Sequence, residues 1–336
     1  MDSLTQIVLG AAVGEAVLGK EVGSRAMLWG AVAGTIPDLD VLLRYTTDEI
    51  SSTELHRGFS HSIVFAILIS PLLAFIAKKI HHKWKEASFK NWCWLFFWAT
   101  VTHPLLDAHT TWGTQFFWPF EYRLAYQNIF VIDPLYTLPF LTFTLIAMFH
   151  KRTNPKRRKF NNWGLIVSSS YMVIALFLKW YTFTVFEKSL ENQNIEYTDL
   201  DTKPSPLNTI LWTSVVETES GYRTGAYSIF DTQEIQFSRE FSKNHHLIAP
   251  YKEERVIQQL INISRGWYYI EELEDRLVFW DVRFGQFGMD LDNAPFVWSY
   301  DIFIEAGKIK EVVKNQPAMT DMGEAISDLW ERIKGN

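Results

Sequence analysis

The sequence predicts an α-helical membrane domain of about six hydrophobic helices, residues 1–186, followed by an extramembrane α+β domain, residues 187–336. Two observations predict this division. Long apolar runs occur only in the first part of the chain. That part carries 17 basic and 12 acidic residues, about +5, whereas the second part carries 15 basic and 26 acidic residues, about −11. The mean hydropathy of −0.04 averages over both parts and hides the membrane character of the first.

The composition limits which disulfides, metal sites and partners the chain can have. Cys93 is the single cysteine, so an intramolecular disulfide and a Cys-rich zinc site are excluded. A transition-metal site must therefore use histidine and carboxylate ligands, which suit Zn, Mn or Fe. The sequence shows no basic face interleaved with aromatic residues, so we expect no nucleic-acid partner. The N-terminus lacks the basic region of a signal peptide, and we expect the first apolar segment to be retained.

The first two apolar segments, Leu4 to Leu18 and Ala26 to Ile36, are rich in small residues that let helices pack closely in a membrane. Each is short for a bilayer crossing, which takes about 20 residues. They are therefore either a pair of short spans or buried helices shielded by their neighbours. Four longer segments are the stronger candidates for spans: Phe59 to Ile80, Trp92 to Leu106, Phe130 to Phe149, and Trp163 to Phe186. The stretch Thr110 to Tyr126 is rich in aromatic residues, which is typical of a segment at the membrane interface.

Basic loops predict the orientation. Residues 78–90 contain five lysines and residues 151–159 contain six basic residues, so both loops are expected in the cytoplasm. If all six segments cross, alternation collects the polar candidates on the outer face. They are Asp2, Asp38, Asp40, His56, His61, His103, Asp107, His109 and Asp133. The prediction depends on both short segments crossing.

After residue 187 the pattern changes to short runs rich in β-branched and aromatic residues, bounded by Gly, Asp or Pro, which predict strands. The predicted strands are Leu207 to Val216, Tyr222 to Phe230, Glu234 to Phe241, Gly266 to Glu271, Arg276 to Phe284, and Phe296 to Ile304. Tyr251 to Ile261 and Met322 to Ile333 are predicted helices.

The segment from His56 to His61 places two imidazoles and a guanidinium directly before an apolar run. Neutral imidazole is the commonest metal ligand, so His56 and His61 are candidate ligands. Arg57 matches the geometry of phosphate and is a candidate for binding an anionic substrate oxygen. Ser60 is a candidate cap for the following helix. The alternative interpretation is an interfacial loop whose Arg and His contact lipid headgroups.

Two further pairs complete the candidate site. His103 and Asp107 are four residues apart and share one face of a helix, which suits two ligands of one metal. Asp38 and Asp40 follow Pro37, and paired carboxylates can supply a ligand and a base. The alternatives are a capped polar pair at a helix end and a turn that ends a helix. Other polar residues are secondary candidates as ligands, supporting partners or caps: Asp2, Gln6, Glu15, His109 and Asp133.

Together these motifs resemble the YdjM/YfhP-type family of inner-membrane-associated metal-dependent hydrolases. The resemblance covers most of residues 1–140. It rests on Met1-Asp2-Ser3-Leu4-Thr5, Gly34 with Pro37-Asp38-Leu39-Asp40, His56-Arg57-Gly58-Phe59-Ser60-His61-Ser62, His103-Pro104-Leu105-Leu106-Asp107, Trp112-Gly113, and Phe117-Trp118-Pro119-Phe120. Members often carry His after the opening Thr, where this chain has Gln6; this departure leaves one or two metals open. The second domain is similar to the extension of longer members at Pro206-Leu207-Asn208, near Trp212, and at Asp281-Val282-Arg283-Phe284-Gly285.

The resemblance implies a multi-pass protein of the inner membrane that hydrolyses esters with a divalent metal. Our first hypothesis is an enzyme with one or two ions, expected to be zinc, held by Asp38, His56, His61, His103 and Asp107, with Asp40 as general base and Arg57 at the substrate. An outer-face site favours a phosphoester or ester of a lipid or lipid-linked substrate. One alternative is a transporter. The other is a non-catalytic membrane protein whose structural metal site anchors an extracytoplasmic binding domain. The sequence specifies neither the substrate nor the oligomeric state.

Overall fold

The computed structural model describes residues 1–81, 87–315 and 322–336, which form two compact units. The membrane unit comprises residues 1–43, 55–177 and 206–208. The C-terminal unit comprises residues 44–54, 178–205 and 209–336. The compact units therefore divide at 177/178, inside one long helix, whereas the predicted domains divide at 186/187. Residues 82–86 of the predicted basic loop lie outside the described residues.

The membrane unit is helical, as predicted. Its polar boundary residues set where helices begin: the Asp2, Ser62 and Asp133 side chains accept hydrogen bonds from the first-turn N–H groups of α1, α4 and α6. Ser62, rather than the predicted Ser60, caps α4. The helices are α1 (Ser3–Val22), α2 (Ser24–Thr35), α3 (Glu49–Leu55), α4 (Ile63–Ile80), α5 (Phe89–Asp107), α6 (Pro134–Phe149) and α7 (Pro155–Asn192), with 3-10 segments at Pro37–Tyr45 and Phe59–His61.

Within the described residues, fewer helices could cross a membrane than the six predicted. By length and composition α4 and α7 qualify, and α2 with the segment Pro37–Tyr45, bent by 43°, makes a third if the pair is one span. α6 has 16 residues, which is short for a crossing. α1 and α5 are long enough, but polar residues lower their hydropathy; in α5 these include His103 and Asp107.

Glycines bring α1 and α2 into backbone contact. A Cβ placed on Gly14 would lie 2.1 Å from the carbonyl oxygen of Ala26, and one placed on Gly10 would lie 2.3 Å from that of Gly30. No L side chain fits at these distances, so the two helices approach closely only because these positions lack side chains. This confirms the predicted close packing of the two small-residue segments.

An ion pair joins α1 to α7 at the end of the unit where the α1–α2 turn lies. Arg157 donates from Nε and Nη2 to the Glu15 carboxylate at 2.7 and 2.6 Å, and from Nη1 to the His150 carbonyl at 2.9 Å. Both side chains are buried. Arg157, predicted in a basic cytoplasmic loop, thus neutralises Glu15, because a buried charge requires a partner. Both carboxylate oxygens of Glu15 are therefore bonded to Arg157.

The described part of the C-terminal unit contains two four-stranded antiparallel sheets, in the orders β1-β2-β3-β4 and β5-β6-β7-β8. This confirms an α+β region. The predicted strand Glu234 to Phe241 is wrong: it yields only an isolated bridge at Phe237 and the start of β4. The elements are β1 (Asp199–Pro204), β2 (Leu211–Glu217), β3 (Gly221–Ser228), β4 (Phe241–Ser242), α8 (Arg255–Ser264), β5 (Tyr268–Glu272), β6 (Leu277–Gln286), β7 (Phe296–Glu305), β8 (Lys308–Asn315) and α9 (Met322–Ile333).

Candidate metal centre

Four of the predicted ligands converge in the membrane unit. Asp38, His61, His103 and Asp107 each offer one ligand atom, and these atoms all lie within 4.8 Å of one another. The His61 and His103 Nε2 atoms are 3.2 Å apart, and Asp38 Oδ1 lies 3.4 and 3.3 Å from them. Asp107 Oδ2 lies 3.4 Å from His61 Nε2 and 3.6 Å from His103 Nε2. A tetrahedral ion with bonds of about 2.0–2.1 Å holds its ligand atoms about 3.3–3.4 Å apart, which these separations match.

Three chain segments supply the cluster. α5 presents His103 and Asp107 from consecutive turns of its last part, as the four-residue spacing predicts. His61 ends the 3-10 segment that precedes α4, and Asp38 begins the 3-10 segment that follows Pro37. The ligands therefore come from helix ends rather than helix middles, where the backbone can turn toward a common point.

Both imidazoles are oriented by an acceptor on their other ring nitrogen. His103 Nδ1 lies 2.6 Å from the carbonyl oxygen of Gly34, and His61 Nδ1 lies 3.0 Å from Ser60 Oγ, which donates to Asp40 Oδ2 at 2.9 Å. Metal-binding histidines almost always have such a partner, which fixes the tautomer and aims the free nitrogen at the ion. This arrangement favours a built metal site over a chance cluster of polar groups.

Asp107 is the most heavily supported member of the cluster. It is fully buried; Arg57 Nε lies 3.0 Å from Oδ2, and Gln6 Nε2 donates to Oδ1 at 2.9 Å. The amino group of Met1 also contacts Oδ1. Arg57 in turn donates from Nη1 to Thr110 Oγ1 at 2.8 Å. Gln6, a secondary candidate from the sequence, therefore orients a ligand carboxylate through its amide.

Three predicted site residues, His56, Asp40 and Arg57, have contacts that differ from their predicted roles. His56 is not in the group of four; its Nδ1 lies 2.9 Å from Asp40 Oδ1. Asp40 also accepts hydrogen bonds at 2.9 Å from the Arg57 backbone N–H and from Ser60 Oγ. Asp40 thus orients His61 and its neighbours, and Arg57 holds Asp107.

The remaining secondary candidates lie outside the cluster. Asp2 caps α1, and Asp133 caps α6 and accepts a hydrogen bond from the Tyr171 hydroxyl at 2.7 Å. His109 Nδ1 lies 2.8 Å from Asn128 Oδ1. The Gly34 carbonyl was not among the predicted site groups. Every residue has a backbone carbonyl, so the sequence cannot indicate which one contacts a histidine.

The cluster shifts the pKa of His61. Burial by itself would lower that pKa, but hydrogen bonds to the carboxylates of Asp107, Asp38 and Asp40 raise it to about 9. Since the folded value exceeds the ordinary 6.5, protonated His61 stabilises the metal-free protein below pH 6.5, and this contribution is lost as the pH rises through 9. A cation must displace that proton, so its affinity increases with pH up to about 9.

One side of the cluster is exposed at the protein surface. The side chains of His61, His103 and Asp107 are fully buried, whereas the Asp38 side chain is 29% exposed. Four protein ligands in a tetrahedron are typical of structural zinc, whereas catalytic zinc sites keep one position open. Three buried ligands beside one exposed carboxylate are compatible with either use. The nitrogen and oxygen donors suit Zn, Mn or Fe.

Comparisons with known proteins match part of the chain. A family model described as "YdjM inner membrane protein" matches residues 1–182, which include all four members of the cluster. Inner membrane protein YbcI of Escherichia coli (strain K12) is 30% identical over 146 residues, which is 41% of this chain and 82% of that protein. No solved structure matches the chain.

Proposed function

Because the chain belongs to the YdjM inner membrane protein family, we propose that it is a membrane-bound hydrolase whose His61, His103 and Asp107 hold a divalent cation, expected to be zinc. One observation supports the proposal above the others. Five separations among the four donor atoms are 3.2–3.6 Å, close to those around a tetrahedral ion, and of the four only Asp38 is exposed at the protein surface. A substrate therefore approaches the centre from the side of Asp38.

The cation, when bound, supplies a Lewis acid and lowers the pKa of water. Side chains of the protein accept the proton and hold the ligands in place. Asp38, at the open side, accepts the proton of the attacking water, because a general base must lie within hydrogen-bond reach of that proton. Arg57 keeps Asp107 ionised and aimed at the cation. Asp40 fits the role of general base less well, since its two oxygens are bonded to His56, Arg57 and Ser60.

We assign the substrate to the phosphoesters or esters of lipid-like molecules. Large apolar side chains stand exposed beside the segment that carries Arg57: Phe59, Phe117, Trp118 and Phe120. The backbone N–H of Gln115 donates to the Arg57 carbonyl at 3.0 Å, which fixes this aromatic segment to the site. Aromatic residues are enriched at membrane interfaces, so a substrate embedded in lipid meets the centre there.

We further propose a multi-pass arrangement with the cluster and the C-terminal unit outside the cytoplasm. The support is the positive-inside pattern of loops 78–90 and 151–159. A topology reporter fused after Glu187 should read outside the cytoplasm, and one fused near Lys156 should read inside. The reverse readings would place the site in the cytoplasm.

A non-catalytic membrane protein with a structural metal remains the second candidate, and the four-ligand set favours it. Asparagine variants separate the two. In a screen of phospholipids and isoprenoid phosphates at saturating metal, Asp38→Asn should lower turnover about 10²–10⁴-fold, the effect of losing a general acid–base group. Its metal content should stay near wild type, because three buried ligands remain.

Asp40→Asn is the matched control. It should weaken metal binding about 10–100-fold, as loss of a partner of a ligating histidine does, but should hydrolyse substrate at close to the wild-type rate once metal saturates. If Asp38→Asn retains metal and wild-type turnover, Asp38 is not the proton acceptor. If the metal-loaded wild type hydrolyses none of these esters, the structural role is the better account.

A further inference from the structure

A cavity of about 240 Å³ lies on one face of the sheet β5-β6-β7-β8, and all the residues that line it belong to the C-terminal unit. The strand register explains how it is built. Val278 on β6 lies opposite Asp301 on β7, and Trp280 lies opposite Ser299, which in turn lies opposite Asn315 on β8. Residues directly opposite one another in antiparallel strands project from the same face, so these five side chains meet there.

The floor of the cavity is apolar and holds a fixed indole ring. Val278 and Phe296 are buried, and Trp280 between them is half-buried. The Trp280 Nε1–H donates to Glu271 Oε2 at 2.9 Å, and the ring stacks on Tyr269 with centroids 6.1 Å apart and planes at 14°. These two contacts hold the indole in one orientation, so it offers a ready apolar surface to a ligand in the cavity.

The polar lining of the cavity combines hydrogen-bond donors with acceptors. The hydroxyl of Ser299 and the amide of Asn315 can each do both. Arg276 Nε lies 3.2 Å from Asp301 Oδ2, and Arg276 Nη1 lies 2.9 Å from Asp275 Oδ1. The charge of the guanidinium is therefore balanced inside the protein, and the cavity does not need a charged ligand to balance it.

We propose that this cavity binds one neutral pyranose unit, which makes the C-terminal unit a sugar-binding module independent of the metal centre. Sugar hydroxyls donate and accept, as the lining does, and the C–H face of a pyranose packs on the Trp280 ring. A phosphate would meet the carboxylates of Glu271 and Asp301, and an ammonium, which only donates, would leave the Arg276 donors unmatched. The volume is below the about 300–1,000 Å³ of pockets for drug-sized ligands, which suits a single ring.

The test is saturation-transfer difference NMR on the full-length protein, in a detergent without a sugar headgroup, because a maltoside would compete for the cavity. The probes are glucose, galactose and N-acetylglucosamine, their disaccharides cellobiose, lactose and chitobiose, and two charged probes, inorganic phosphate and ethanolamine. At least one of the neutral sugars should bind with a Kd of about 1 mM, the range expected for so small a ligand. Tighter binding of a disaccharide would identify the end of a longer glycan as the ligand, and equal binding would identify a free monosaccharide.

Three variants locate the binding. Trp280→Ala should weaken it at least about tenfold, as loss of a central Trp does in other binding sites. Ser299→Leu fills the cavity without removing an apolar side chain and should weaken binding to a similar extent. Trp298→Ala is the matched control, because Trp298 directly precedes Ser299 on β7 and therefore projects from the opposite face, where Lys314 Nζ lies 4.2 Å from its ring centroid. Its affinity should stay within about twofold of wild type.

Two results would overturn the proposal. One is a wild type that binds none of the six neutral sugars, whether or not it binds phosphate or ethanolamine. The other is sugar binding that Trp280→Ala and Ser299→Leu leave unchanged, which would place the sugar elsewhere. Neither result bears on the cation site, since no residue of that cluster lines this cavity.

Discussion

Replacing Asp107 by asparagine is expected to remove the cation from the purified protein and to destabilise the membrane unit by about 3–5 kcal/mol. The side chain is fully buried and Arg57 Nε lies 3.0 Å from it. Asparagine loses the charge that binds the cation and leaves the buried guanidinium without its partner. Metal analysis and the free energy of unfolding in detergent measure the two effects.

Asp133→Asn is the matched control for this prediction. Asp133 is also fully buried in the membrane unit but lies outside the cluster. Its loss should weaken the cap of α6 by about 1 kcal/mol and leave the metal content unchanged. Equal metal content in Asp107→Asn and the wild type would remove Asp107 from the ligand set.

A single methyl group on α1 should have an effect of similar size. In Gly14→Ala the new Cβ would lie 2.1 Å from the carbonyl oxygen of Ala26. No rotamer relieves a clash with backbone, so α1 and α2 must separate. We expect a loss of more than about 3 kcal/mol in unfolding free energy, beyond the usual cost of overpacking, and a fall in the yield of folded protein.

Gly164→Ala on α7 tests whether the backbone contact is the cause. The three atoms nearest to the Cβ of Gly164→Ala would be side-chain atoms of Phe143 and Phe140, at 3.1–3.5 Å. Both substitutions gain the same helix propensity, about 1 kcal/mol. Gly164→Ala should therefore change stability little. If Gly14→Ala is as stable as Gly164→Ala, the α1–α2 contact is looser than the structure shows.

The members of the metal cluster could be predicted where a short stretch of sequence identifies them. His103 and Asp107 have helical spacing, and His61 stands at the start of an apolar helix. The roles of Asp38 and Asp40 could not be separated, because both follow Pro37. In the 3-10 segment that forms there, three residues make a turn, so residues two apart point in different directions. Asp38 consequently reaches the cluster, and Asp40 turns to His56.

Elements that depend on contacts between residues far apart in the sequence were not predicted. Residues 43–55 are polar and carry no apolar periodicity that would predict a helix; α3 forms there, and its partners lie on α8, about 200 residues later. The strands β1 and β8 were missed because both are rich in charged residues. The helix predicted at Met322 to Ile333 forms as α9, because its apolar periodicity is a local property.

X-ray absorption by the zinc-loaded protein tests the central claim most directly. The proposed centre predicts four nitrogen or oxygen ligands at about 2.0–2.1 Å, with the multiple scattering of two imidazoles. The signal of two imidazoles should fall to that of one in His61→Ala and stay unchanged in His56→Ala. An ion without imidazole ligands, or one that loses imidazole scattering in His56→Ala but not in His61→Ala, would contradict the centre held by His61, His103 and Asp107.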